Sequence, residues 1–255
     1  MVCDHSSNGD NGRVRRFLTF LLIVGQIGAA RAAGLDDANA GLIAAQRGEY
    51  DEAIHLFSAA LASGDLSPGN TIIAHHNRGN TYQDKGDYAR AIAEYNVAIR
   101  LNPAYSEAYF SRGRARFSLG DYASAVTDFA TSVKLDPTDP YAVIWLHLAH
   151  HKAGSSTSDE LSRNSARFDL ARWPGSVLNL YLGKVTPQQT RAQSASGDAR
   201  TQRDQTREAS FYIGEYELLR MNRGAAKSLF EEAARNCSYT SDELAGAHAE
   251  LARLF

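Results

Sequence analysis

Cysteine and proline are scarce in this 255-residue chain, which has two cysteines and six prolines. The cysteines are Cys3 and Cys237, and removal of the N-terminal segment described below would leave only Cys237. A single cysteine cannot form an internal disulfide, so the fold has to be stabilised by packing. The small number of prolines suits a helical protein, because proline interrupts a helix interior.

An excess of positive charge is also missing, since 27 lysines and arginines face 29 aspartates and glutamates. No basic stripe runs along the chain, which argues against nucleic acid as the main partner. The sequence has no nucleophile elbow, no phosphate-binding loop and no dinucleotide fingerprint. It therefore favours a non-enzymatic protein, and no cofactor is expected.

The histidines offer only a weak metal-binding pattern. His147 and His151 are four residues apart, so they would share one face of a helix and could bind a metal ion. A metalloprotease helix would carry glutamate directly after the first histidine, whereas Leu148 follows here. Two interpretations remain: a weak candidate metal site, or histidines packed between helices.

A long hydrophobic run is missing too, because the apolar stretch Phe17–Ala30 has about 14 residues, fewer than a membrane span needs. Three arginines precede it: Arg13, Arg15 and Arg16. Ala30-Arg31-Ala32 fits the pattern of a cleavage site, so residues 1–32 are predicted to be a cleaved signal peptide of a periplasmic protein. The alternative is an uncleaved anchor in the inner membrane.

Two stretches of the chain repeat each other at a fixed spacing. In the first stretch the shared residues are Gly79, Gly86, Tyr88, Ala91, Tyr95 and Pro103. In the second they are Gly113, Gly120, Tyr122, Ala125, Phe129 and Pro137. A 34-residue period with small and aromatic residues at fixed offsets is typical of the tetratricopeptide repeat, a helix–turn–helix unit. The chain resembles that family, which implies an all-α solenoid that presents binding surfaces.

Each residue of the pattern has a physical role. Gly79 lies mid-helix, where glycine is unfavourable, so we expect the paired helix to approach it closely through the small residue Ala91. Gly86 ends the first helix of the unit, and Asp87 caps the second. Pro103 ends the second helix, and the same roles recur one repeat later.

An earlier unit and a fourth unit flank these two. The earlier unit keeps the internal offsets with Gly41, Gly48, Tyr50, Ala53, Phe57 and Ala60. It lies slightly more than one period before the next unit, and the few extra residues are expected in a turn at 65–70. The fourth unit starts at Asp139-Pro140, a helix cap followed by a first-turn proline, and has Gly154 at its turn.

The repeat pattern weakens after residue 154 and returns near the C-terminus. The polar stretch Gln193–Gln205 is predicted to be a surface loop or a frayed helix. The repeat offsets then recur at Phe211, Gly214, Ala226, Phe230 and Ala233. A last helix starts at Thr240, with Glu243 completing a capping box, and would cover the end of the stack.

These patterns divide the chain into four predicted segments. They are a signal peptide (1–32), an N-terminal repeat block of about 3.5 repeats (33–154), an irregular helical connector (155–206) and a C-terminal repeat with a capping helix (207–255).

The order of the segments resembles the NlpI-like lipoproteins. The residues that carry this resemblance are Trp173-Pro174, Tyr181-Leu182-Gly183 and Phe211-Tyr212-Ile213-Gly214-Glu215, with Phe230 and Ala233. The resemblance implies an envelope scaffold that gathers peptidoglycan (cell-wall) hydrolases, and it makes a homodimer plausible. No cysteine for a lipid anchor follows the apolar run, which favours a free periplasmic protein.

The first helices of the repeats are expected to line a concave groove. The predicted groove residues are His76, Asn77, Asn80, Asp84, Phe110, Arg114, Tyr141 and Trp145. Amide side chains can hold an extended peptide backbone, arginine can bind a carboxylate, and aromatic rings can anchor an apolar side chain.

Other roles for the groove residues stay open. The two asparagines could simply cap or solvate their helix. Arg114 could pair with Glu107 or Asp84, in which case the exposed pair would contribute little. Trp145 could pack against the connector instead of a ligand.

The sequence as a whole predicts an exported, non-enzymatic adaptor or scaffold that binds a protein or peptide segment in this groove. The alternative is a structural or assembly subunit of a secretion or polysaccharide-export complex that acts through dimerisation. Alanine at Asn77, Asn80 and Arg114 would remove the partners of an adaptor. A change in the Phe211–Phe230 unit would remove those of a structural subunit.

Overall fold

The computed structural model describes residues 33–155, 158–235 and 242–254, and all regular elements in these ranges are α-helices. The helices are α1 (Ala33–Gln46), α2 (Tyr50–Ala62), α3 (Pro68–Asp84), α4 (Tyr88–Leu101), α5 (Ser106–Leu119), α6 (Tyr122–Leu135), α7 (Pro140–Lys152), α8 (Ser158–Ser165), α9 (Gly175–Tyr181), α10 (Pro187–Ser194), α11 (Ala199–Leu219), α12 (Arg223–Arg235) and α13 (Asp242–Leu254).

Consecutive helices pair into hairpins over most of the chain: α1 with α2, α3 with α4, α5 with α6 and α11 with α12. Neighbouring hairpins of the N-terminal block also contact each other, α2 with α3 and α4 with α5. Each hairpin thereby buries the apolar face that its neighbour leaves open. The stacking confirms the predicted all-α repeat solenoid.

The turns of the hairpins use the residues that the repeat pattern assigns to them. Gly86 and Gly120 both have a φ of +82°, a left-handed conformation that favours glycine. Asp87 accepts a hydrogen bond from the N–H three residues later at 3.1 Å, and Asp121 does the same at 3.3 Å. These caps satisfy main-chain donors at the starts of α4 and α6.

The glycines inside the first helices make room for an aromatic ring of the paired helix. A Cβ added to Gly79 would lie 2.7 Å from Tyr95 Cε1, and one added to Gly113 would lie 2.8 Å from Phe129 Cε1. Ala91, the small residue expected at this approach, is fully buried in the same hairpin. The ring sixteen residues after each glycine fills the gap, because a side chain of that length reaches across the hairpin.

The extra residues before the second repeat are placed differently from the prediction. α3 begins at Pro68, and Ser67 Oγ accepts a hydrogen bond from the Asn70 N–H at 3.2 Å. Residues 68–70 are therefore helical instead of forming part of a turn. A serine cap followed by proline in the first helical position favours this early start.

α7 is the helix around which the two halves of the chain pack. It starts as predicted, with Asp139 Oδ1 accepting from the Tyr141 N–H at 2.9 Å. Residues 142–146 are all buried, because α7 lies among α5, α6, α8 and α9. An amphipathic surface helix would bury only one stripe, so this helix is an interior element.

The connector is more helical than the sequence indicated. Thr186 and Gln189 form a capping box at the start of α10, as the Thr186-Pro187-Gln188-Gln189 pattern favours. Only residues 195–198 separate α10 from α11. Most of the stretch 193–205 is therefore part of a helix and does not form a loop.

The C-terminal helix does more than cover the end of the stack. A Cβ on Gly246 of α13 would lie 2.7 Å from Phe211 Cε2, so α13 packs closely on α11. Arg253 Nη2 donates to the main-chain oxygens of Phe117 at 2.9 Å and Ser118 at 2.6 Å, near the end of α5. α13 thus packs against the third repeat.

Several predictions fall outside the described residues: the signal segment 1–32, Cys3, Cys237 and the Thr240 cap. Within the described ranges, no helix combines the length and the apolar character needed to cross a membrane.

Candidate binding groove

The polar groove residues meet where the first helices of two repeats, α3 and α5, lie side by side. His76 Nε2 is 3.0 Å from Ser111 Oγ, and His76 Nδ1 is 3.2 Å from the Tyr105 hydroxyl. Burial lowers the pKa of His76 to about 3, and the positive charge of Arg114 acts in the same direction. The imidazole is therefore neutral at physiological pH and bridges the two helices as one donor and one acceptor.

Hydrogen bonds from the same repeat and from the next one also hold the amide side chains of α3. The Tyr95 hydroxyl donates to Asn80 Oδ1 at 2.8 Å. The Gln83 side-chain oxygen accepts from Arg114 Nη2 at 2.7 Å, and its nitrogen donates to the Ser111 main-chain oxygen at 3.3 Å. Gln83 was not among the predicted groove residues, although it lies one turn after Asn80 on the same helix.

Arg114 and Asp84 form the charged part of this cluster. Arg114 is only 3% exposed, and its guanidinium carbon lies 5.3 Å from the centre of the Phe110 ring. Burial raises the pKa of Asp84 to about 7, and the charge of Arg114 partly opposes that change. The expectation that Arg114 is surface-exposed is therefore wrong, and its charge acts on the neighbouring Asp84.

Asn77 differs from its neighbours because its side-chain oxygen is unpaired. The residue is 4% exposed, and no hydrogen-bond donor reaches Oδ1 among the described residues. A buried acceptor without a donor costs about 1–3 kcal/mol. A ligand that brings a donor to this position would recover that free energy.

The aromatic end of the predicted groove is covered by α11. Trp145 is 2% exposed and stacks on Phe211 with ring centres 5.5 Å apart. The Tyr141 hydroxyl donates to Glu208 Oε2 at 2.6 Å, and Trp173 Nε1 donates to the same oxygen at 2.7 Å. The ring of Trp145 therefore lies in the interior and packs on Phe211 of the C-terminal repeat, whereas the sequence offered the connector residues 155–206 as the alternative to a ligand.

An ionic cluster that the sequence did not reveal joins α7, α11 and α13. Lys152 Nζ lies 3.1 Å from Glu215 Oε2 and 2.8 Å from Glu250 Oε2. Glu215 is fully buried, and burial raises its pKa to about 7 although Lys152 favours the charged form. These residues are far apart in the sequence and follow no period, so no sequence signal could have brought them together.

Two ion pairs recur with the repeat and were also missed. Arg78 Nη2 lies 2.7 Å from Glu94 Oε1, and Arg112 Nη2 lies 2.7 Å from Asp128 Oδ1. In each unit the arginine directly precedes the mid-helix glycine, and the acid directly precedes the aromatic residue. The recurrence of both partners at the repeat period was a usable signal for this contact.

The weak metal candidates face other side chains. The rings of His147 and His151 have centres 6.5 Å apart, and His147 contacts Tyr181 at 5.1 Å. Burial lowers the pKa of His147 to about 4. Over the described ranges, no three potential metal ligands come together. The packing of His147 corresponds to the second of the two sequence interpretations.

Comparisons with known proteins agree with this fold. Models of the tetratricopeptide repeat match residues 30–104 and 76–140, which together include α1 to α6. A tetratricopeptide repeat protein from Parabacteroides merdae ATCC 43184 is 21% identical, with 86% of this chain and 82% of that chain covered and a TM-score of 0.51.

Two further solved structures are similar to about half of the chain. The first TPR of Spaghetti (RPAP3), bound to the HSP90 peptide SRMEEVD, is 28% identical over 48% of this chain and 94% of its own, with a TM-score of 0.45. The first TPR domain of human RPAP3 is 25% identical over 53% of this chain and 98% of its own, with a TM-score of 0.44.

Proposed function

Models of the tetratricopeptide repeat match residues 30–140 of the chain, and we propose that the protein is a non-enzymatic adaptor. It binds an extended segment of a partner protein along the concave side of α3 and α5. The partner is held at one preformed site, for which an affinity of about 1 μM is expected, and scaffolding follows when several copies or sites act together.

The observation that carries this proposal is the unpaired oxygen of Asn77. A main-chain N–H of an extended segment is a donor of the right kind, and its insertion beside Asn77 satisfies Oδ1. Arg114 lies one helix away and provides positive charge for a carbonyl or carboxylate of the same segment. Phe110 is partly exposed beside it and contacts an apolar side chain.

The surrounding hydrogen bonds support binding because they keep the site preformed. His76 is held by Ser111 and Tyr105, and Asn80 is held by Tyr95. Side chains that are already ordered lose little conformational entropy when a ligand binds.

The proposal includes export to the periplasm. The arginines and the apolar run before residue 32 support it. The NlpI-like sequence resemblance suggests a cell-wall hydrolase as partner and a homodimer as the working form. We propose both the hydrolase partner and the homodimer on that resemblance alone.

A site-specific crosslink tests the groove directly. A photoreactive phenylalanine analogue replaces Phe110, and the whole chain is produced in a Gram-negative host and irradiated in intact cells. We expect a discrete crosslinked partner that mass spectrometry identifies, and we expect its loss when Asn77, Asn80 and Arg114 are changed to alanine.

The matched control carries the analogue at Ala130, an exposed position on the second helix of the same hairpin. Circular dichroism and thermal unfolding establish whether the triple variant is folded. The adaptor proposal fails if the folded triple variant gives the same partner, or if the Ala130 position captures that partner equally well.

The dimerising alternative needs a different test from the one the sequence suggested. Phe211 and Phe230 are completely buried, so replacing them would unfold the C-terminal unit without probing an interface. Light scattering of the purified protein at several concentrations measures its oligomeric state without any substitution.

A further inference from the structure

The first two residues of α1 lie against a carboxylate that comes from the loop after α2. The Gly34 N–H is 3.2 Å from Asp65 Oδ1 and 3.5 Å from Oδ2. Ser63 Oγ donates to Oδ1 at 2.6 Å, and this hydrogen bond is the main reason why the pKa of Asp65 is lowered. Asp65 therefore caps a helix that precedes it in the chain by a full helical hairpin.

The fit between α1 and this loop leaves no space for a side chain. A Cβ on Gly34 would overlap both Ser63 Oγ and Asp65 Oδ1, and it would approach the Ala60 main-chain oxygen to 3.0 Å. Glycine at this position lets the carboxylate reach the main-chain nitrogens at the start of the helix.

Ala33 is also the residue that follows the predicted cleavage site. Hydrolysis by a signal peptidase adds one water molecule across the Ala32–Ala33 peptide bond. The carboxylate remains on Ala32, and the new amine on Ala33 takes up a proton. Because an α-amino group has a pKa of about 7.7–8.0, most of it is an ammonium at pH 7.

We propose that Asp65, supported by Ser63, is the receptor for the amino terminus that processing creates. The α-ammonium of Ala33 then forms an ion pair with the Asp65 carboxylate and ties the first helix to the loop between α2 and α3. This inference rests on the proposed export, because it needs a chain that begins at Ala33. Before cleavage, Ala33 offers only a neutral amide N–H to the same oxygens.

The ion pair lies at the surface, so its effect on stability is small and the reactivity of the amine is the better measurement. Only the unprotonated amine reacts with an acylating reagent. An ion pair raises the pKa of the amine, and each unit of that rise lowers its reactivity at pH 7 by roughly tenfold.

The experiment starts from the whole 255-residue chain, exported by a Gram-negative host. Mass spectrometry of the purified protein identifies the first residue, which we expect to be Ala33. The protein is then treated with limiting acetic anhydride between pH 6 and 9, and acetylation of the N-terminal peptide is measured separately from that of lysines. Wild type should react several-fold more slowly at pH 7 than Asp65→Asn.

Two controls separate this effect from general changes in charge or folding. Glu52→Gln removes an exposed carboxylate of α2 and should react like wild type. In concentrated urea, wild type and Asp65→Asn should react at the same rate.

Equal reactivity of folded wild type and Asp65→Asn would contradict the proposal that Asp65 binds the new amino terminus, and it would leave the proposed export intact. A mature chain that starts at another residue would also contradict the proposal for Asp65. A protein that keeps residues 1–32 would overturn both the receptor and the export.

Discussion

At the scale of single residues, the mid-helix glycines give a sharp test of the repeat packing. A Cβ at position 113 would contact three atoms of the Phe129 ring at 2.8–3.1 Å. We expect Gly113→Ala to destabilise the protein by about 1–3 kcal/mol, because the ring has to shift within a fully packed hairpin. Urea unfolding followed by circular dichroism measures this difference.

Gly224→Ala is the matched control, since a Cβ there would meet no atom within 4 Å and the residue is helical. Alanine has the higher helix propensity, so we expect this variant to be more stable than wild type by roughly 0.5–1 kcal/mol. Equal losses in the two variants would show that Phe129 does not determine the choice of glycine at position 113.

The sequence predicted individual residues well where their role is local. Asp87 and Gly86 act within one turn, so their roles could be inferred from neighbours in the chain. Trp145 could not be assigned in this way, because the same position suits a ligand or a packed helix. Its burial depends on Phe211, which is distant in the sequence and joins it only through the tertiary fold.

At the scale of elements, the ionic cluster links α13 to α7 and α11. Lys152 faces two buried carboxylates, Glu215 and Glu250. We expect Lys152→Met to cost about 3–5 kcal/mol, because it leaves the buried Glu215 without its counter-charge. Thermal and urea unfolding of the purified variant measure this cost.

The double variant with Lys152→Met and Glu215→Leu tests whether the unpaired charge causes this loss of stability. It removes one buried charge of each sign, and Glu250 keeps its contact with Arg253. We expect it to recover most of the lost stability. If the double variant is as unstable as Lys152→Met, packing of the lysine stem and not charge explains the loss.

The bounds of the elements were predictable where a cap and a proline coincide. α7 begins at Pro140 after Asp139, as expected. α3 obeys the same rule at Ser67 and Pro68, but there the residues were interpreted as a turn. The early start of α11 at Ala199 was left open between a loop and a frayed helix, because its first turns are polar and show no apolar stripe.

At the scale of the whole molecule, Glu215 should make stability depend on pH. Its pKa rises to about 7 in the folded protein from a usual value of 4.5. The folded state therefore holds a proton that the unfolded state has lost between these values, so this group makes the protein less stable as pH rises from about 4.5 to 7. Glu215→Gln removes that contribution.

We expect the free energy of unfolding of Glu215→Gln, taken relative to that of wild type, to increase between pH 4.5 and 7 and to stay constant above pH 7. His76 and His147 change stability with pH in the opposite direction, because burial lowers their pKa values. Both are present in wild type and in the variant, so their contributions cancel when the two free energies of unfolding are subtracted. Urea unfolding at pH 4.5, 5.5, 6.5 and 7.5 provides the data. A difference in unfolding free energy that does not vary with pH would contradict the raised pKa of Glu215.

The arrangement of the whole molecule was the least predictable from the sequence. The repeat period specifies how each hairpin stacks on the next, and that part was correct. The contact of Arg253 with the end of α5 joins the last described helix to the third repeat and follows from no period. It depends on the path of the irregular connector, which local patterns do not determine.

The aromatic packing around α7 gives the protein a built-in optical reporter. The chain has two tryptophans, and Trp145 and Trp173 both lie where α11 meets the N-terminal repeats. Their emission therefore comes from this junction and from no other part of the chain. Trp145 should emit at short wavelength while it is stacked on Phe211, and separation of the two halves should move the spectrum to the red without any attached label.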